Sequence, residues 1–245
     1  MEDKNPFDGI KTCANFSQLW RLTALIFFCQ VAASTAVAFF ERRSGIELNP
    51  FEAMIPALLV TALISRALLA GLGVSGRAAL ADWNRGAASD LKKAFKYFAG
   101  YLLVLVCVLA VLLAAYWFFG DGLAKVMKPL SDKNVREDGL LQGAAAVSRL
   151  RFLLVLFSSC ALAPAVEEIF FRRIVYSAIR LKKGFWFSAF WSGLLFAGFH
   201  GAAAPVILPA GMYLCWVYER ERRLPVNILL HSMVNLSMLT LKVLI

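Results

Sequence analysis

Apolar residues fall into seven runs along the chain: Leu22–Phe40, Phe51–Val74, Phe98–Phe119, Phe152–Ile179, Phe185–Ala203, Pro205–Tyr218 and Val226–Ile245. Several approach the ~20 residues that cross a bilayer as a helix. The pattern predicts an all-α, polytopic transmembrane bundle of about seven spans. The sixth run is short and is expected to tilt or re-enter. The first run is longer than a 7–15-residue signal core and stops at Phe39-Phe40-Glu41-Arg42-Arg43, so a retained helix is expected. The longest link, Gly120–Arg151, holds most of the polar residues outside the runs and is expected to include a short interfacial helix. Arg66 interrupts the second run, where a buried pair or a snorkelling side chain is expected.

Composition supports this picture. Of 245 residues 60% are hydrophobic and only 17% charged, against about 25% charged in soluble domains. The 26 Lys+Arg outnumber the 16 Asp+Glu. Most bases sit in links, so topology explains them and no nucleic-acid partner is expected; the bilayer, with its anionic headgroups, is the expected contact. Sixteen bases fall on the amino-terminal side of the spans and nine on the other. That bias predicts a cytoplasmic amino terminus and an outside carboxyl terminus. Five scattered cysteines without C-x-x-C spacing read as small buried residues.

The candidate chemistry is concentrated in the fourth, fifth and seventh runs. Glu167 and Glu168 are adjacent, and Arg172 follows Glu168 at i,i+4, a spacing that pairs the two on one helix face. The pairing leaves Glu167 the freer carboxylate, suited to general-base work. A purely structural Glu–Arg clamp is the other reading of this segment. Pro164 lies just upstream and is expected to kink or restart the helix. The chain has two histidines, each in an apolar setting with a partner one turn away: Phe196 before His200, and Asn235 after His231. Glu167 and His200 lie about sixteen residues to either side of the turn near Lys183–Gly184. In an antiparallel hairpin both would sit at one depth, roughly 25 Å from that turn. Were residues 173–183 to run along the interface, the site would lie nearer the cytoplasm.

E-E-x-x-x-R at Glu167–Arg172, F-x-x-x-H at Phe196–His200 and H-x-x-x-N at His231–Asn235 resemble the three motifs of the CAAX protease and bacteriocin-processing (CPBP, or ABI) family of intramembrane proteases, similar to type II CAAX prenyl endopeptidases. The resemblance covers about Val155–Leu241. It divides the chain into 1–150, amino-terminal helices and the long polar link without motifs, and 151–245, a catalytic helical core. It implies a glutamate-type endopeptidase acting on a membrane-anchored protein or peptide, in which Glu167 activates water, His200 helps hold it, and His231 and Asn235 donate to the oxyanion. Glu168, Arg172 and Phe196 would support them. It places the chain in the cell membrane, expected to be a bacterial inner membrane. No cofactor is expected. Zinc at Glu167, His200 and His231 is the alternative, although H-E-x-x-H spacing is absent. Two other readings use the same polar cluster: a non-catalytic adaptor or bacteriocin-immunity protein, and an ion-coupled transporter.

Overall fold

The computed structural model describes residues 5–122 and 148–244, with isolated positions between 125 and 143. The expected interfacial helix of Gly120–Arg151 lies for the most part outside the described residues. Eight helices carry the described chain, and no strand occurs among the described residues. They are α1 (Phe16–Ser44), α2 (Pro50–Ala53), α3 (Ile55–Gly71), α4 (Gly76–Phe119), α5 (Arg149–Arg180), α6 (Phe185–Gly198), α7 (Ala204–Glu221) and α8 (Leu224–Leu244). Six segments are long and apolar enough to cross a membrane, with α6 as a shorter apolar helix. The chain is a multi-pass helical membrane bundle.

Local signals set the helix ends. The Asn15 side chain accepts from the Gln18 amide to start α1, and Gly45 closes it at φ +71°. Only glycine takes that left-handed backbone without strain. Asn49 and Glu52 form a reciprocal capping box on α2, which satisfies two otherwise orphaned amides. Ser75 caps α4 and Ser148 caps α5.

Two elements depart from the run pattern. The charged stretch before Phe98 reads as a link, yet α4 is one helix of 44 residues. Its first half is rich in alanine and contains no proline, so nothing stops a helix that Ser75 has started. That half passes beneath the α7–α8 turn. Arg223 there pairs with Asp90 (Nε–Oδ1 2.6 Å) and Asp82 (3.0 Å). Glu221 pairs with Lys93 (2.6 Å) and accepts from the Tyr97 hydroxyl (2.6 Å). The second departure concerns the short span. It is the fifth rather than the sixth, because α6 stops at Gly198 after 14 residues, about 21 Å against a ~30 Å hydrocarbon core. Gly201 at φ +60° reverses the chain, and α7 starts three residues later. His200 therefore stands in a turn, not in a helix.

The helix α5 is the centre of the bundle. Residues from Phe170 to Ile179 are almost all buried, Arg172 included, and α3, α6, α7 and α8 pack around that stretch. The helix continues to Arg180, so residues 173–180 run through the bundle and not along its surface. Outward-facing residues are apolar: on α4, Leu103, Val111, Leu113, Trp117, Phe118 and Phe119 are all exposed. An apolar surface of that extent belongs in lipid. Arg66 is exposed and has no ion pair among the described residues, so the buried pair does not occur; five residues from the end of α3, it is placed to snorkel. Cys13 and Cys215 are buried, Cys29 and Cys160 half-buried, and Cys107 is exposed on the lipid-facing part of α4.

Candidate active site

The site begins with an irregular α5. Two π segments, Ser158–Leu162 and Glu168–Tyr176, flank a short α segment around Pro164. In the first, the Ala163 amide reaches back five residues to the Ser158 carbonyl. The next amide in that pattern would reach Ser159, but Pro164 has no N–H. The Ser159 carbonyl instead accepts from Asn235 Nδ2 at 2.8 Å. Proline thus opens a main-chain acceptor, and α8 supplies its donor. Such wide turns in α-helices recur at functional sites.

The two adjacent glutamates point different ways, because neighbours on a helix do not share a face. Glu168 and Arg172 are both completely buried, and Arg172 Nε lies 3.1 Å from Glu168 Oε2. The approach is close but poorly directed as a hydrogen bond, and Nη2 has no hydrogen-bond partner. The Arg172 guanidinium instead lies 4.8 Å from the centre of the Phe196 ring, and its Nη1 is 3.6 Å from Cys215 Sγ. Ring stacking of that kind compensates for part of the lost hydration of a buried cation. Glu168 collects two further donors, His231 Nδ1 at 3.0 Å and Asn227 Nδ2 at 3.3 Å. Asn227 also donates to the Leu214 carbonyl at 2.8 Å. Glu168 is thus the knot that ties α5 to α8.

Glu167 turns instead to a cavity of about 590 Å³. His200, His231 and Asn235 line the same cavity. The structure therefore brings together the four residues to which the resemblance gives catalytic roles, from α5, the α6–α7 turn and α8. His231 is 3.8 Å from Glu167, measured Nε2 to Oε2, close enough for electrostatic contact and too long for a direct hydrogen bond. Its proton positions follow from its partners. Glu168 lies against the Arg172 cation and accepts from Asn227, so it is a carboxylate that only accepts, and His231 Nδ1 carries hydrogen toward it. Nε2 is left to face Glu167. His200 Nδ1 is 2.7 Å from the Phe196 carbonyl. A carbonyl only accepts, so Nδ1 holds the proton and Nε2 is the nitrogen with a lone pair to offer. The Phe196 ring holds both imidazoles, with centroids at 4.7 Å from His200 and 5.8 Å from His231.

Among the described residues no three His, Cys, Asp or Glu side chains stand close enough to hold a metal ion. The residues expected for zinc, Glu167, His200 and His231, are among those described.

Sequence spacing missed several residues here. Asn227 lies in the seventh apolar run, one turn before His231, and only the fold shows it on Glu168. Gln30, Ser34 and Thr61, from α1 and α3, also line the cavity. Their only signal was polarity within an apolar run.

Comparison with known proteins agrees with the geometry. Residues 149–237 match the model of the family described as Rce1-like, type II CAAX prenyl endopeptidase Rce1-like. A protein of Bacillus subtilis (strain 168) named "Putative membrane peptidase YdiL" is 31% identical over 84 residues, 34% of each chain. The match thus spans about a third of that relative. No solved structure matches the chain. Residues 149–237, which carry Glu167, His200, His231 and Asn235, are thus similar to the type II CAAX prenyl endopeptidase Rce1-like family.

Proposed function

We propose that the chain is a glutamate-type intramembrane endopeptidase that hydrolyses a peptide bond in a membrane-anchored protein. The observation that carries this reading is one cavity, within a bundle of apolar helices, lined by a carboxylate, two imidazoles and a carboxamide. A bound water would give one hydrogen to Glu167 and the other to His200 Nε2. With both hydrogens engaged, its lone pair is directed at the substrate carbonyl. Glu167 takes the proton as the oxygen attacks, and later returns it to the leaving amine. The new oxyanion receives hydrogen bonds from Asn235, whose second N–H is not used by Ser159, and from His231 Nε2 in its protonated form. Glu168, Arg172 and Phe196 keep these groups in register. The amino terminus lies on the cytoplasmic side, as the charge bias predicts, and the membrane is a bacterial inner membrane.

The test compares the termini of membrane proteins in cells holding the wild-type chain or Glu167→Gln. Loss of specific termini in the variant, at equal expression and unchanged thermal stability, is the expected outcome. Identical termini would sink the protease reading. Rescue of a cellular phenotype by Glu167→Gln would point to binding without cleavage.

A further inference from the structure

The cavity extends beyond the Rce1-like region. Gln30 and Ser34 of α1 and Thr61 of α3 bring polar atoms to its lining. The Thr61 hydroxyl is buried and donates its single proton to the Ala57 carbonyl at 2.9 Å. Its oxygen must then accept from Gln30, whose Nε2 lies 2.7 Å away. This fixes the Gln30 carboxamide: nitrogen toward Thr61, carbonyl oxygen turned away from it. Among the described residues that is the only hydrogen bond made by the Gln30 side chain. Oε1 and the second N–H remain on a half-buried side chain that lines the cavity.

A peptide entering such a cavity brings main-chain N–H and C=O groups out of bulk water, and each group left unmatched weakens binding. A carboxamide held in one orientation offers both complements. We infer that Gln30, oriented by Thr61, hydrogen-bonds the backbone of the substrate segment beside the scissile bond. It is a positioning residue, supplied by the part of the chain that carries no family motif. A simple tie between α1 and α3 would need only the Nε2 bond; it leaves the second half of the amide without a partner on a residue that lines the cavity.

The inference rests on the protease reading, and the test separates the two. The full chain in proteoliposomes is given two fluorogenic decapeptides of one neutral sequence, one carrying a farnesyl-cysteine and one without lipid. Each is also made with single backbone N-methyl groups at successive positions. Gln30→Leu/Thr61→Val replaces the bonded pair by apolar groups of similar size, a change that leaves stability nearly unaltered. The expected result is a KM about tenfold higher with kcat within about twofold. One N-methyl position should raise KM for the wild-type chain and leave the double variant unaffected. Thr61→Ser, which keeps both hydroxyl bonds, should behave as wild type. Unchanged KM in the double variant, or equal N-methyl sensitivity in both proteins, overturns the role of Gln30 alone. Absence of any Glu167-dependent cleavage of either peptide overturns the protease reading and this one with it.

Discussion

Glu168→Ala leaves the Arg172 guanidinium at 0% exposure without its carboxylate. The Phe196 ring and a cysteine sulfur are then its remaining neighbours of note. Removing one member of a buried ion pair costs about 3–5 kcal/mol, because the survivor keeps its desolvation penalty and loses its compensation. For a chain of this size that is a fall in Tm of roughly 6–20 °C. Replacing both members tells a different story. In Glu168→Leu/Arg172→Met no buried charge is left, and exchange of such a pair for apolar groups is often neutral or stabilising. Part of the cost persists because His231 and Asn227 lose their acceptor. Thermal unfolding of Glu168→Leu, Arg172→Met and the double variant in detergent, followed by tryptophan fluorescence, gives the coupling energy. The double variant should melt well above Glu168→Ala, while its turnover stays at least about tenfold below wild type because His231 is no longer held. A single variant within 2 °C of wild type, or strictly additive losses, would refute the account of Glu168 as the knot of the core.

Three further outcomes follow from particular contacts. Asn235→Ala should lower kcat by about 10²–10³ with KM little changed, as loss of one oxyanion donor does; equal effects on both constants would argue for a substrate-binding role instead. Gly211→Ala places a Cβ 3.1 Å from the Gly193 Cα and from Phe196 Cδ1. It should cost about 1–3 kcal/mol by forcing α6 and α7 apart, seen as a lower Tm together with lower turnover through the displaced Phe196 ring. Cys13 lies before α1, is buried, and burial pushes its thiol pKa up. Alkylation by iodoacetamide near pH 7.5 should therefore be slow in the folded chain, should accelerate as pH rises and thiolate forms, and should become fast on unfolding; rapid labelling of the native protein at pH 7.5 would contradict the packing described.

The parts of the site that sequence spacing reveals are those whose geometry is local. Glu168 and Arg172 pair because i,i+4 brings side chains together on any helix, and His231 and Asn235 reach one cavity for the same reason. What spacing does not carry is where one helix meets another. Asn227 on Glu168 and Gln30 on Thr61 are such contacts, and no periodicity encodes them. The His200 turn was hidden for a different reason: hydropathy does not distinguish an apolar turn from an apolar helix, and Gly201 in the left-handed region ends the span early. The opposite error affected α4, where charge suggested a link although capping and propensity favour helix throughout.

Pro164 joins the local and the tertiary levels. Its missing N–H can be read from the sequence, and a kink is the usual expectation. Here the helix widens into a π segment just before the proline, and the unclaimed Ser159 carbonyl is met by Asn235 from α8. That bond orients the carboxamide to which the proposed reaction gives the oxyanion. The same irregular helix sends Glu168 inward to the Arg172 cation, His231 and Asn227 and leaves Glu167, one residue earlier, facing the cavity. Two identical side chains acquire different chemistry because one has its charge answered by protein and the other keeps room for water. Glu168 answers Arg172 on one face of the helix, and Glu167 on another face stays open to the cavity, the position in which the proposed reaction would use it as a base.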